Sequence, residues 1–295
     1  MKRSFLARLR SNGTSYLWSA LLLLAGIPAY QTFVLAPLGY NNALAVTSAG
    51  NSTAYLAWIG GHQFSFLLYR LLLLLAFILV LNLPFSLFRV IIAQELMGQK
   101  EREAEALAED DEEDAEDETE ERADEVEEDE TEATDGMPPY AWRGKGFAVI
   151  AAWSGFIGLI CYIVGTLTST LYLSTISNGI APNATLSSAN VLLISIFAIL
   201  TNTLGVGLLA LSTLFFGAII ARSGGKLWPV AWVIFGYIAL VVAALFSGSA
   251  VSVASAPASG QAPLTAPAIL LFGVWVLWLG VMLVRLKPEP VQTTA

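Results

Sequence analysis

The stretch FSFLLYRLLLLLAFILVLNLPFSLF, residues 64–88, decides the fold. Its 25 residues contain one charge, that of Arg70. A helix needs about 20 mostly apolar residues to cross the hydrocarbon core of a bilayer. The 18 residues from Leu71 to Phe88 carry no charge, so this part alone is nearly long enough to cross the bilayer. The stretch therefore predicts a transmembrane helix.

Five more stretches of similar length and composition occur in the chain, which is 56% hydrophobic and 13% charged. A soluble domain has about 25% charged residues. The sequence therefore predicts an all-α fold, a polytopic transmembrane helical bundle. Its six predicted spans are residues 16–38, 64–88, 147–173, 191–221, 227–246 and 268–286.

Nearly all of the acidic residues lie in one segment, because 22 of the 24 Asp and Glu fall within residues 101–135. With two Arg, this acidic segment has a net charge of −20, whereas the remaining 13 Lys and Arg and two acids give +11. Such a composition does not support a packed core. We expect a disordered linker, residues 101–139, between an N-terminal membrane part, residues 1–100, and a C-terminal membrane part, residues 140–295.

The distribution of basic residues predicts the orientation. Lys and Arg flank the spans on one side, and the three loops on the other side, residues 39–63, 174–190 and 247–267, carry no charge. Because cytoplasmic loops are rich in Lys and Arg, we expect a multi-pass protein of the cell membrane with both termini cytoplasmic. The alternative that the first span is a cleaved signal peptide is disfavoured, since its apolar region is longer than the roughly 7–15 residues of a signal peptide.

The acidic segment leaves two roles open. It is a solvated spacer between the membrane parts, or a docking arm for a basic protein partner. Its charge repels phosphates, which excludes nucleic acid as a partner and leaves the lipid bilayer as the certain environment of the spans. The helix of the second span is expected to continue to about residue 107, before the charges become continuous.

Arg70 is the one basic residue well inside a predicted span, and no span contains Asp or Glu. The missing carboxylates exclude a carboxylate proton relay, general base or metal site within the spans. Two interpretations of Arg70 stay open. Its side chain extends to the lipid headgroups, or it forms an anion or lipid-headgroup site that faces the bundle.

Polar residues also occur at two other places in the predicted spans. Asn82 precedes Pro84, which predicts a kink or a substrate-binding break in the second span. Thr201 and Asn202 lie in a polar part of the fourth span, where hydrogen bonds between helices explain such residues. If a central binding site exists, Asn82, Thr201 and Asn202 are the residues expected to line it.

The sequence contains no catalytic, metal or cofactor pattern. His62 is the only histidine and Cys161 the only cysteine, so one chain provides neither a zinc ligand set nor a haem held by two histidines. His62, Tyr69 and Arg70 form the one cluster that an enzyme could use. We therefore expect no cofactor and no enzymatic activity.

Short motifs in the last three spans resemble a known family. They are TLFFG at residues 213–217, RSG at 222–224, LWP at 227–229 and GY at 236–237, followed by a tryptophan-containing last span. In this region the chain resembles a family of uncharacterised bacterial six-helix integral membrane proteins. The resemblance implies the architecture and no chemistry, and the acidic insertion departs from the family's pattern.

Three functional hypotheses follow from these observations. The first is a non-catalytic accessory or scaffold subunit with an acidic cytoplasmic docking loop, which agrees best with the missing catalytic residues. The second is a small transporter or channel-like protein with a polar site near Asn82 and Asn202. The third is an integral membrane enzyme.

Overall fold

The computed structural model describes residues 3–48, 52–94, 139–180, 185–255 and 264–285. Residues 101–135 lie outside this part, and so do the predictions of disorder and docking made for them. All regular elements of the described part are helices, six of which are long and apolar enough to cross a membrane. The predicted all-α, six-span membrane fold is thus confirmed. Spans 1 to 6 are Ala7–Leu35, Gln63–Gln94, Gly146–Ile176, Ser188–Ser223, Val230–Ser255 and Thr265–Val284.

Spans 1 and 4 contain π-helical turns. In span 1 the sequence of elements is α-helix Arg3–Leu21, π-helix Leu22–Gly26, α-helix Ile27–Tyr30 and π-helix Gln31–Leu35. In span 4 it is α-helix Ser188–Ala198, π-helix Ile199–Gly205 and α-helix Val206–Leu227. Pro28 accounts for the first π turn, since a proline ring clashes with the carbonyl group one turn before it and widens the helix there.

Span 2 is broken into two helical parts. Its first part, Gln63–Leu79, ends in a turn, and a second part begins at Leu83. Pro84 explains the break, because it has no N–H to donate to the carbonyl of Val80 and is tolerated only in the first turn of a helix. The backbone N–H of Leu83 donates to that carbonyl instead, at 2.9 Å.

The six spans form a closed ring. Each span packs against the spans before and after it in sequence, and span 6 packs against span 1. Small residues allow the closest approaches: a Cβ added at Gly217 would lie 2.8 Å from the carbonyl oxygen of Gly236, where spans 4 and 5 meet. Gly13 and Gly280 provide a similar contact between spans 1 and 6. Glycine at such positions lets two backbones touch in the membrane.

Aromatic side chains fill the centre of the ring. Phe77 of span 2 stacks on Phe272 of span 6 with ring centroids 6.0 Å apart, and Phe235 of span 5 stacks on Trp275 of span 6 at 4.9 Å. All four side chains are buried. Aromatic pairs of this kind stabilise a structure by about 0.5–1.5 kcal/mol beyond the area they bury.

A helical hairpin covers one end of the ring. The uncharged region between spans 1 and 2, expected to be a loop, contains the helices Tyr40–Ser48 and Ser52–Gly61, which pack against each other. These helices are stable because Tyr40, Leu56 and Ile59 are buried against the ends of the spans. We call this side of the bundle the hairpin end.

Candidate functional site

Arg70 lies in span 2 near the hairpin end. It is seven residues after Gln63, where the span begins, which corresponds to a depth of about 10 Å. Phe66 lies one turn earlier, and the guanidinium carbon of Arg70 is 5.3 Å from the centroid of its ring. Such a cation–π contact is typical of arginine held away from water.

Four tyrosines lie near the guanidinium group. Tyr40 and Tyr55 come from the hairpin, Tyr69 from span 2 and Tyr162 from span 3, and all four interact electrostatically with Arg70. The Tyr40 ring centroid lies 6.2 Å from that of Tyr55 and 6.0 Å from that of Tyr69. We call these four residues the tyrosine cluster. The cluster places residues of the bundle and of the hairpin beside Arg70, and the two interpretations drawn from the sequence stay predictions.

No carboxylate is available to balance Arg70 in the described part of the chain, which contains no Asp or Glu. The Nε atom of Arg70 is buried and has no hydrogen-bond partner in that part. An uncompensated charge removed from water costs several kcal/mol, and ring faces and hydroxyl dipoles offset only part of this. Among the residues that the structure describes, the charge of Arg70 is therefore not balanced.

Tyr40 is a permanent hydrogen-bond donor in the cluster. Burial raises the pKa of its phenol well above the ordinary value, Tyr55 and Tyr69 raise it further, and Arg70 lowers it. The hydroxyl groups of Tyr40 and Tyr69 are hydrogen-bonded to each other. At any physiological pH Tyr40 is therefore neutral.

Thr201 and Asn202 lie in the π-helical turn Ile199–Gly205 of span 4. The side chain of Thr201 is buried against Gly165 of span 3, and its Oγ1 has no hydrogen-bond partner in the described part of the chain. Asn202 is partly buried. π-helical turns occur frequently at functional sites, and an unsatisfied buried hydroxyl is the second unusual feature of this turn.

Asn82 lies in a different layer of the bundle. It is exposed at the break in span 2, and its carbonyl accepts a hydrogen bond from the backbone N–H of Ser86. Pro84, two residues later, packs against Gly155, whereas Thr201 packs against Gly165. Ten residues along span 3 correspond to about 15 Å, so the structure does not bring Asn82 and Asn202 together.

Arg70 and Thr201 flank one region of span 3 instead. Arg70 interacts with Tyr162, and Thr201 touches Gly165, one turn further along the same helix. The sequence singled out neither Tyr162 nor the hairpin tyrosines. The sequence does contain a signal for the hairpin tyrosines. The uncharged loop between spans 1 and 2 has several aromatic residues, and this composition indicates that the loop is buried.

His62 lies at the start of span 2, where its Nδ1 is 3.1 Å from the carbonyl oxygen of Trp58 and its ring stacks on the Trp58 indole. It belongs to the hairpin packing. The described residues contain no group of His, Cys, Asp or Glu arranged to hold a metal ion.

Comparisons of the chain with family models, curated proteins and solved structures give no match. The resemblance to bacterial six-helix membrane proteins stays a prediction.

Proposed function

We propose that this integral membrane protein is a non-catalytic accessory or scaffold subunit that docks a basic partner through the acidic segment 101–135. The filled centre of the ring is the observation that carries the proposal. Phe272 contacts both Phe77 and Trp275, and these three buried rings link spans 2 and 6 inside the ring of helices. A bundle packed with aromatic rings in this way is suited to hold other proteins in the membrane.

Charge supports the choice of partner. The acidic segment has a net charge of −20, whereas the rest of the chain has +11. Complementary charge speeds the encounter of two proteins and selects among partners. A basic cytoplasmic protein or domain is therefore the partner that we expect.

A pull-down from native membranes in mild detergent tests the proposal. The full chain is compared with a chain lacking residues 101–135 and with one in which the acids of that segment are replaced by Asn and Gln at unchanged length. We expect a stoichiometric partner with the full chain and none with either variant. A partner retained by the neutral segment contradicts electrostatic docking, and a partner retained by the deletion contradicts docking through this segment.

We further propose that the hairpin end faces away from the cytoplasm, as the basic residues on the opposite side predict. Cys161 is the only cysteine, so a Cys161→Ser chain provides a background for single cysteines. A cysteine introduced at exposed Gly61 should react with a membrane-impermeant maleimide in intact cells, and one at exposed Arg222 should not. The reverse labelling contradicts this orientation.

The interruptions in spans 2 and 4 favour transport as a second candidate function. Many transporters bind their substrates where a membrane helix is broken, and span 2 breaks at Val80–Asn82 while span 4 contains the π turn Ile199–Gly205. Thermal stabilisation by a solute that is lost in Asn202→Leu would support a transporter. Turnover of a substrate that is lost in both His62→Ala and Arg70→Ala would instead support an enzyme.

A further inference from the structure

The surroundings of Arg70 are rich in hydrogen-bond donors, and the described ranges of the chain place no negative group there. The guanidinium carries five N–H donors, and each tyrosine hydroxyl has one O–H, of which that of Tyr40 is used in its hydrogen bond to Tyr69. We propose that Arg70, with the hydroxyls of Tyr69 and Tyr162, binds a phosphate-type oxyanion: the phosphodiester of a lipid headgroup or free inorganic phosphate. This site is independent of the docking role of the acidic segment.

The geometry of Arg70 fits such a ligand. The Phe66 ring lies against the guanidinium group, whose carbon is 5.3 Å from the ring centroid. A planar guanidinium binds phosphate oxygens through two parallel hydrogen bonds, which a lysine does not reproduce. The chain itself has no acid near Arg70 in sequence, since every Asp and Glu lies at or beyond Glu95.

A ligand can approach from the lipid phase. Arg70 itself is partly exposed, and its helix neighbours Leu67 and Leu71 are 37% and 60% exposed on the outside of the ring. The hairpin covers the site from the end of the bundle through Tyr40 and Tyr55. A depth of about 10 Å below the start of span 2 places Arg70 within reach of a headgroup that is drawn slightly inward.

Binding is measured with the purified full chain in a mild neutral detergent. The probes are dioleoylphosphatidylglycerol, dioleoylphosphatidylcholine and inorganic phosphate, and the readouts are native mass spectrometry and the shift in Tm. Arg70→Gln removes the charge, and Arg70→Lys keeps the charge but loses the planar fork. Arg89→Gln is the matched control, since Arg89 is an exposed arginine at the other end of the same span.

We expect phosphatidylglycerol to bind and stabilise the wild type and Arg89→Gln. Arg70→Gln should bind about 10- to 100-fold more weakly, the loss expected for a hydrogen bond to a charged group. The affinity of Arg70→Lys should lie between those of the wild type and Arg70→Gln. Stabilisation by a phospholipid but not by inorganic phosphate identifies a lipid headgroup site, and equal stabilisation by inorganic phosphate identifies a free anion site.

Two results would overturn the proposal. One is an unchanged affinity for both anionic probes in Arg70→Gln and Arg70→Lys. The other is a wild-type protein that neither phosphatidylglycerol nor inorganic phosphate binds or stabilises. The second result needs no variant, so it decides the matter even when a substitution prevents folding.

Discussion

The hydroxyl of Ser19 in span 1 donates a hydrogen bond to the carbonyl oxygen of Ala76 in span 2, at 2.8 Å. An unbroken helix would satisfy that carbonyl with the backbone N–H of Val80, but Val80 donates to the carbonyl of Ile78 instead. Span 1 thus supplies the bond that the break in span 2 removes. Broken membrane helices persist where a neighbouring helix satisfies the freed backbone groups.

Ser19→Ala should therefore destabilise the bundle. The buried carbonyl of Ala76 would lose its partner, which costs about 1–3 kcal/mol of unfolding free energy. The measurement is the Tm in detergent or the midpoint of unfolding by denaturant. Ser15→Ala is the control, because Ser15 bonds only to the Ser11 carbonyl of its own helix, at 3.4 Å. Equal effects of the two substitutions would show that the bond between the spans contributes nothing.

Gly165→Ala should weaken the contact between spans 3 and 4. A Cβ at this position would overlap the Oγ1 of Thr201 and lie 3.2 Å from the Thr201 backbone nitrogen. Overpacking of this kind costs about 1–3 kcal/mol. The measurement is again the Tm in detergent. Gly61→Ala is the control, since a Cβ there would meet nothing within 4 Å.

Combining Gly165→Ala with Thr201→Ala should recover part of the loss. The double variant removes the oxygen that the new methyl group would overlap but leaves the backbone contact. Destabilisations that simply add would contradict the overlap, because residues in contact are expected to couple.

Thr201→Val tests whether the buried hydroxyl of Thr201 has a role. Its Oγ1 has no partner in the described part of the chain, so a methyl group of similar size should leave the Tm unchanged or raise it. A fall in Tm of the purified protein would show that the hydroxyl binds a group of the chain or a retained ligand. A solute that stabilises the wild type but not Thr201→Val would strengthen the transport hypothesis.

The sequence predicts the spans well because membrane burial leaves a long, uncharged signature. The second predicted span, residues 64–88, lies within the observed Gln63–Gln94. The sequence predicts that this helix continues to about residue 107; the described part ends at Gln94, and Val90 and Ile91 are buried inside the bundle. Length and hydropathy alone do not reveal such packing.

The candidate site was harder to predict, since its residues come from distant parts of the chain. The sequence shows Arg70 as a charge in an apolar stretch. Whether its side chain faces the lipid headgroups or the bundle depends on Tyr40, Tyr55 and Tyr162, which only the fold brings near it. Asn82 and Asn202 were expected together from their polarity. The polarity of a residue does not reveal how deep it lies in the bundle. The depths of Asn82 and Asn202 follow from the way spans 2 and 4 pack against span 3.

Tyr40 should make the stability of the hairpin end depend on pH in the alkaline range. Burial raises its pKa in the folded protein above the unfolded value of about 10. Above that value the unfolded chain releases a proton that the folded protein retains, so unfolding becomes more favourable as the pH rises. The stabilisation by Tyr40 is complete below about pH 10 and is lost as the pH rises towards its folded pKa.

Tyr40→Phe provides the measurement. Between pH 6 and 9 the variant should have an unfolding free energy lower by on the order of 1 kcal/mol, because it lacks the hydrogen bond to Tyr69. Above about pH 10 the difference in Tm between the wild type and the variant should narrow, since only the wild type has the Tyr40 proton to release on unfolding. A constant difference up to pH 11 would mean that Tyr40 is not buried as a neutral phenol beside Arg70.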